Sequence, residues 1–226
     1  EEWNFDLRNS PVLKEGGEGD DRLTGGYGND TLIGHGGNDS LRGDLGDDSY
    51  YYNLGDGLDY ITDVGGFVRI VLGNSITPDM VKVRNSWSQG LIVSINGINV
   101  LSYNDGISQS NLDFALEQII FSSVNVIWDQ ATFFSKALES TSGNDEIYGV
   151  LNSEIVDGGA GNDRIETNAG NDILIGGAGD DYLGGGTGDD VYRCSLGDGS
   201  DYICDEGGRD TIEFLNGVLP TDISIQ

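Results

Sequence analysis

Thirteen acidic side chains fall on a nine-residue lattice. In the first part of the chain they are Asp21, Asp30, Asp39, Asp48 and, after a slip of two residues, Asp59. In the second part they are Asp145, Glu154, Asp163, Asp172, Asp181, Asp190, Asp201 and Asp210, with the same slip before Asp201. Glycine-rich turns precede each of them and expose backbone carbonyls. All these donors are oxygen and negative charge is abundant, which suits Ca²⁺, a hard cation taking six to eight oxygen ligands; Mg²⁺ prefers a tighter octahedron with retained water. Zinc would want His or Cys, and the chain has one histidine and two cysteines. A single Gly-Asp-Asn cluster is an ordinary solvated turn. The metal reading rests on the phasing of many.

The elements that must position these carboxylates can be read from Gly16 to Tyr51, GGEGDDRLT GGYGNDTLI GHGGNDSLR GDLGDDSYY. The units follow the known signature G-G-x-G-x-D-x-U-x. Aspartate holds position 6 and a large apolar residue position 8 (Leu23, Leu32, Leu41, Tyr50). Positions 7 to 9 alternate out, in, out, which makes a short strand with one buried side chain. The other six residues make a turn that needs positive φ and close backbone approach. Two units form one coil, successive strands fall on opposite sheets, and coils must stack to bury their apolar residues. Turn n then lies beside turn n+2, with two position-6 carboxylates between them.

This array resembles the RTX (repeats-in-toxin) family of secreted bacterial proteins. The resemblance implies an all-β chain with a parallel β-roll, a right-handed solenoid, holding calcium in the stacked turns. It implies carbonyl ligands from positions 2 and 4 of one turn and 1 and 3 of the next on that edge. In the first array these are Gly17, Gly19, Gly26 and Gly28 with Gly34, Gly36 and Gly43. In the second they are Gly159, Gly161, Gly177 and Gly179 with Gly176 and Gly185. The two position-6 acids complete each site.

The first roll is expected over 16–72. Its last unit, DVGGFVRIV, carries Val68 at position 6, so the pair 48/68 should lose its calcium. Residues 1–15 are expected to cap the first coil through Trp3, Phe5, Leu7 and Leu13. Residues 73–139 contain strand-like runs, an Asn96-Gly97 hairpin signal and a short helix near 129–138 with Asp129 as N-cap. This block resembles the one that follows RTX arrays in haemolysin-type proteins, and its expected role is capping; a separate ligand-binding β-domain is the alternative. A second roll is expected over 140–214, with EGGRDTI supplying Asp210 where the first has Val68. The halves superpose at an offset of 142 residues, and 215–226 should begin a second capping block, as if the chain were a piece of a longer protein.

Pairing position 6 of turns n and n+2 gives 21/39, 30/48 and 39/59, then 145/163, 163/181, 172/190, 181/201 and 190/210. Glu154 decides whether 154/172 makes a further site, so about eight calcium ions are expected. They would bring the formal charge of −28 to about −12. Without them, crowded carboxylates and the entropy of 37 glycines should leave the arrays disordered, so metal binding energy becomes folding energy. A halophile-like acidic surface is the bland alternative. Affinities suited to an extracellular module, roughly 10⁻⁴ to 10⁻³ M, imply a chain unfolded inside the cell and folded outside it. The family resemblance implies type I secretion machinery as a partner and a secreted, extracellular location.

The acidity argues against nucleic acid and anionic membranes, and no apolar run approaches a membrane span. No G-x-S-x-G, H-E-x-x-H or Cys–His motif suggests an enzyme, and the lattice already accounts for the aspartates that a carboxylate dyad would need. His35 reads as a turn residue, and Cys194 and Cys204 as two thiols rather than a disulfide. Tyr50, Tyr52, Tyr60, Tyr192 and Tyr202 read as core fillers. The expected function is a calcium-binding structural and secretion-folding module; the alternative is a calcium-rigidified adhesive module engaging a host receptor or glycan.

Overall fold

A computed structural model describes residues 10–86, 90–104, 116–215 and 217–221. The chain divides into two compact units, Glu1–Lys136 and Ala137–Gln226.

In the first unit, successive short strands alternate between two sheets. One sheet takes β1 (Leu13–Glu15), β3 (Thr31–Ile33), β5 (Ser49–Tyr52) and β7 (Val68–Leu72); the other takes β2 (Arg22–Tyr27), β4 (Ser40–Leu45) and β6 (Asp59–Thr62). All these pairs are parallel. Leu23 lies opposite Leu41, one coil of eighteen residues on. The coil widens by two residues after Asp48, because Ser49 lies opposite Arg69 and Ser40 opposite Tyr60. The extra length is held locally: Tyr52 donates to the Gly57 carbonyl at 2.9 Å and the Asn53 amide to Asp56 Oδ2 at 2.6 Å. Position 8 supplies the core, with Leu32, Leu41, Tyr50, Ile61 and Ile70 all buried. The fold is therefore a parallel β-solenoid of stacked coils.

The block after β7 continues both sheets of the first roll instead of standing apart as a separate β-domain. β10 (Ile98–Asn104) pairs parallel with β6, and β11 (Leu116–Phe121) pairs parallel with β7. Antiparallel strands then close each sheet: β9 (Gly90–Ile95) and β8 (Val81–Ser86) beyond β10, and β12 (Val126–Asp129) beyond β11. The β9–β10 hairpin turns at Asn96 (φ 53°) and Gly97 (φ 81°), the left-handed pair that a two-residue turn requires. Helix α1 (Gln130–Ala137) begins as expected, with Asp129 Oδ1 accepting the Thr132 amide at 2.9 Å. Phe133 is buried from it, and Trp128 packs edge-on to Phe121 at 4.7 Å. Trp128 belongs to β12, so the helix starts two residues later than that side chain.

At the start of the chain, Trp3, Phe5 and Leu7 lie outside the described residues. Leu13 does not cover the first coil; it is 61% exposed on β1, which pairs with β3 as an additional coil strand.

The second unit is a roll alone. β13 (Glu146–Tyr148), β15 (Arg164–Glu166), β17 (Tyr182–Gly184) and β19 (Tyr202–Cys204) form one parallel sheet. β14 (Ile155–Asp157), β16 (Ile173–Ile175), β18 (Val191–Cys194) and β20 (Thr211–Phe214) form the other. Its core is one side chain per unit: Ile147, Val156, Ile165, Leu174, Leu183 and Tyr192. Ile212, at position 8 of the last unit, is instead 52% exposed.

Candidate metal centres on the turn edges

Each turn is shaped around its position-6 carboxylate. A Cβ placed on Gly34, at position 1, would fall within 3.0 Å of three atoms of Asp39; Gly25 and Gly176 are filled in the same way by the aspartate five residues on, and over Gly43 and Gly185 a tyrosine hydroxyl shares the space with that aspartate. Glycine leaves that hollow open at these turns, and Thr167 takes the same position before Asp172. At position 4, Gly46 holds φ at 131° while its missing Cβ faces the Gly28 carbonyl of the neighbouring turn. Stacking at this spacing therefore tolerates no side chain there.

The structure places turn n beside turn n+2 through one repeated hydrogen bond. The position-6 amide of one turn donates to Oδ1 of the position-6 aspartate two turns on. It joins 21 to 39 at 2.8 Å, 30 to 48 at 2.7 Å and 39 to 59 at 3.1 Å. In the second array it joins 145 to 163, 154 to 172, 163 to 181 and 172 to 190 at 2.8 Å, then 181 to 201 and 190 to 210 at 3.2 Å. Val12 makes the same bond to Asp30 at 2.9 Å, so β1 occupies a lattice position.

Oδ1 is thus satisfied; Oδ2 accepts a backbone amide in Asp21 and Asp145, from Gly17 and Thr141 at 2.6 Å, but not in the turns that follow them. Oδ2 of Asp30, Asp39, Asp48, Asp59, Asp163, Asp172, Asp181 and Asp190, and Oε2 of Glu154, are buried without a hydrogen-bond partner. Backbone oxygen lies close by: the point where a Gly16 Cβ would sit is 2.5 Å from the Gly34 carbonyl and 2.6 Å from Asp21 Oδ2. Gly158 repeats this with Asp163 Oδ2 at 2.5 Å and the Gly176 carbonyl at 2.6 Å. Burial, above all, pushes Asp59 and Glu154 up to about 7 and raises Asp39, Asp163, Asp172, Asp190 and Asp201 in the same direction. A buried, unpaired carboxylate is costly and calls for a proton or a cation. The donor set is oxygen throughout, so the residues fit calcium.

Three acids that contribute to these edges escaped the sequence reading. Glu117 stands at a register shift in β11 and accepts the Val68 amide at 2.5 Å, taking the place of the next coil's position-6 aspartate. Asp63 and Asp205 stand at position 1 of their units. Asp205 lies with Asp190 and Asp210 so that one carboxylate oxygen from each is within 4.8 Å of the others. The leading aspartate of DVGGFV and DEGGRD, matched by the 142-residue offset, was the available signal for Asp63 and Asp205.

The remaining expectations divide. His35 is a turn residue at φ 64°, and both cysteines are free and half-buried. Tyr50, Tyr52 and Tyr192 fill the core. Tyr60 and Tyr202 do not: at 48% and 62% exposure they sit at position 7, which the strand alternation turns outward.

The RTX calcium-binding nonapeptide repeat (4 copies) matches residues 15–50 and 157–192. Both regions are RTX repeats. No curated protein matches the chain. The chain therefore contains a calcium-binding RTX module folded as a β-solenoid. RTX repeats are in general structural rather than catalytic. Among the described residues, no helix is long and apolar enough to cross a membrane.

Proposed function

We propose that the RTX arrays are a calcium-driven folding module of a secreted protein, disordered at intracellular calcium and assembled outside the cell. The observation that carries this is the row of buried, unpartnered carboxylate oxygens along the turn edges. At neutral pH such a row opposes folding unless a cation neutralises it. Calcium supplies that charge and accepts six to eight oxygens.

In this reading the position-6 acids hold the ions in n/n+2 pairs. The position-1 to position-4 carbonyls, among them those of Gly17, Gly19, Gly34 and Gly36, complete the shells. Glu154 serves as an aspartate would, because its Oε2 is buried in the hollow over Gly149, which brings the regular pairs to nine. The segments 16–72, 73–139, 140–214 and 215–226 remain the proposed order of roll, cap, roll and cap, and within 1–15 the strand β1 adds to the first roll. Type I secretion would export the chain unfolded.

The test is a calcium titration followed by far-UV circular dichroism and calorimetry on the same sample. The expected outcome is a cooperative gain of β signal with eight or nine ions bound. Full β signal in chelator would refute the folding switch.

A calcium-rigidified adhesive surface is the second reading. It is favoured by an exposed ladder on the second array, where Tyr202 stacks on Tyr182 at 5.5 Å and Arg164 lies over the Tyr182 ring at 4.2 Å. Calcium-dependent retention on a glycan array, lost in Tyr202→Ala, would support it.

A further inference from the structure

The regular pairing rule gives the first array no site at its last turn edge, because Val68 stands where a partner for Asp48 belongs. We propose that Asp63, together with Asp48 and the Tyr50 hydroxyl, forms a calcium site in the hollow over Gly43 and so replaces the one that Val68 removes. The proposal rests on the calcium reading of the arrays given above.

Three oxygens converge there. Asp48 Oδ2, the Tyr50 hydroxyl and Asp63 Oδ2 all lie within 2.5 Å of the point where a Gly43 Cβ would sit. Asp48, Asp63 and Tyr50 are each at most 1% exposed. Their other bonds are accounted for. Asp48 Oδ1 accepts the Asp30 amide at 2.7 Å, Asp63 Oδ1 accepts the Gly65 amide at 3.2 Å, and the Tyr50 hydroxyl donates to Asp63 Oδ2 at 2.6 Å. The hydroxyl proton thus goes to Asp63, and Asp48 Oδ2 is buried without a hydrogen-bond partner. Two buried carboxylates facing each other with one donor between them need a cation or a further proton.

The placement follows the lattice. In the regular turns, position 1 of the neighbouring turn turns its backbone carbonyl into the hollow, as Gly34 does over Gly16 and Gly176 over Gly158. Asp63 is the position-1 residue of its turn and brings a side-chain oxygen to the same place. A carboxylate also restores the negative charge that Val68 omits.

The second array repeats the device. Tyr192 donates to Asp205 Oδ2, and Asp205 Oδ1 accepts the Gly207 amide at 2.9 Å, matching Asp63 and Gly65. There the regular partner Asp210 is present as well, and the carboxylates of Asp190, Asp205 and Asp210 converge. The first array therefore holds the same arrangement with Val68 in place of Asp210.

The experiment is a count of bound calcium, by native mass spectrometry and equilibrium dialysis at saturating calcium, on the full 226-residue chain and two variants. Asp63→Asn should bind one ion fewer than the wild type. Val68→Asp should bind the same number, more tightly, because it adds a third carboxylate to an occupied site. A full complement in Asp63→Asn, or one extra ion in Val68→Asp, overturns the proposal while leaving the array reading intact. Should Asp63→Asn fail to fold in calcium, the Val68→Asp count decides alone. A wild-type chain that binds no calcium would remove the array reading and this site together.

Discussion

The first array runs on into an ordinary hydrophobic core, and the second buries little beyond what its own repeats supply. β10 and β11 extend the first roll's sheets, and the block they belong to buries Leu91, Val93, Leu101, Tyr103, Phe121 and Phe133. The second unit buries six position-8 side chains in its cluster, with Leu138 and Ile203 partly covering it. A fully buried Leu or Ile contributes about 1.5–3 kcal/mol, and ordering each residue costs about 1–2 kcal/mol. One buried side chain per nine ordered residues cannot balance that cost. The same repeat is therefore self-supporting to different degrees: the first roll has a neighbour to template it, while the second depends on its ions.

Chelation should split the two, with the largest effect of any perturbation. We expect the second unit to lose its strands completely in chelator, while β8 to β12 retain theirs. Hydrogen exchange reads this directly: amides of 140–214 should exchange at coil rates, and those of β9 and β10 should stay protected. All three tryptophans (Trp3, Trp87, Trp128) precede residue 137, so tryptophan emission follows the first unit alone. A single calcium midpoint shared by tryptophan emission and far-UV dichroism would break the comparison.

Next come substitutions within the rolls. Leu174→Ala empties a fully buried position in the slender core and should cost about 2–5 kcal/mol. Its calcium midpoint for folding should rise accordingly, whereas Leu101→Ala in the capping block should shift tryptophan emission and leave the second unit's midpoint unchanged. Asp172→Ala takes an acid from two pairs, 154/172 and 172/190, and should lower the calcium count by two. Loss of a single ion would mean that Glu154 completes no site.

Acidification should act on both arrays with smaller effect. Burial raises Asp59 from the ordinary 3.8 to about 7, and does the same to Asp48 with help from the neighbouring Asp63 and Asp30 charges. The calcium-free fold then binds more protons than the unfolded chain between about pH 4 and 7. Its stability must fall as pH rises through that window, since the carboxylates ionise in the unfolded chain first. In chelator, β signal should therefore grow as pH is lowered from 8 to 5.5. Over the same range the calcium midpoint should rise, because protons compete for the ligands. A chelated chain whose spectrum is flat across this range would show that the carboxylate row is not what opposes folding.

Much of this was legible in the residues because the lattice repeats. Period nine fixed the alternation of sheets, the position-8 core and the n/n+2 neighbours, and the slip before Asp59 predicted the widened coil. Asn96-Gly97 and Asp129 announced a turn and a cap through local chemistry. What escaped depends on contacts that no local pattern encodes. Glu117 reaches the Val68 amide from 49 residues away. Asp63 drew no reading of its own, because its partner is a tyrosine hydroxyl thirteen residues earlier. Tyr60 and Tyr202 were misplaced because their recurrence outweighed the alternation, which turns position 7 outward.

Those two tyrosines give the smallest and sharpest comparison. They match under the offset of 142 residues, yet their neighbours differ. Tyr60 has Ser40 and Ser102 beside it on adjacent strands. Tyr202 has Tyr182, stacked at 5.5 Å with 25° between the rings, and Arg164 lies beyond at 4.2 Å from the Tyr182 ring. A cross-strand aromatic pair is worth about 0.2–1 kcal/mol over alanine, and an exposed residue without such a partner falls within about 0.5 kcal/mol of neutral. In saturating calcium, Tyr202→Ala should therefore lower the melting temperature of the second unit slightly, and Tyr60→Ala should leave the first unit's unchanged. Equal losses in both would mean that the ladder adds nothing beyond the area each ring covers. The exposed row would then have no structural reason to be aromatic, and the adhesive reading would gain weight.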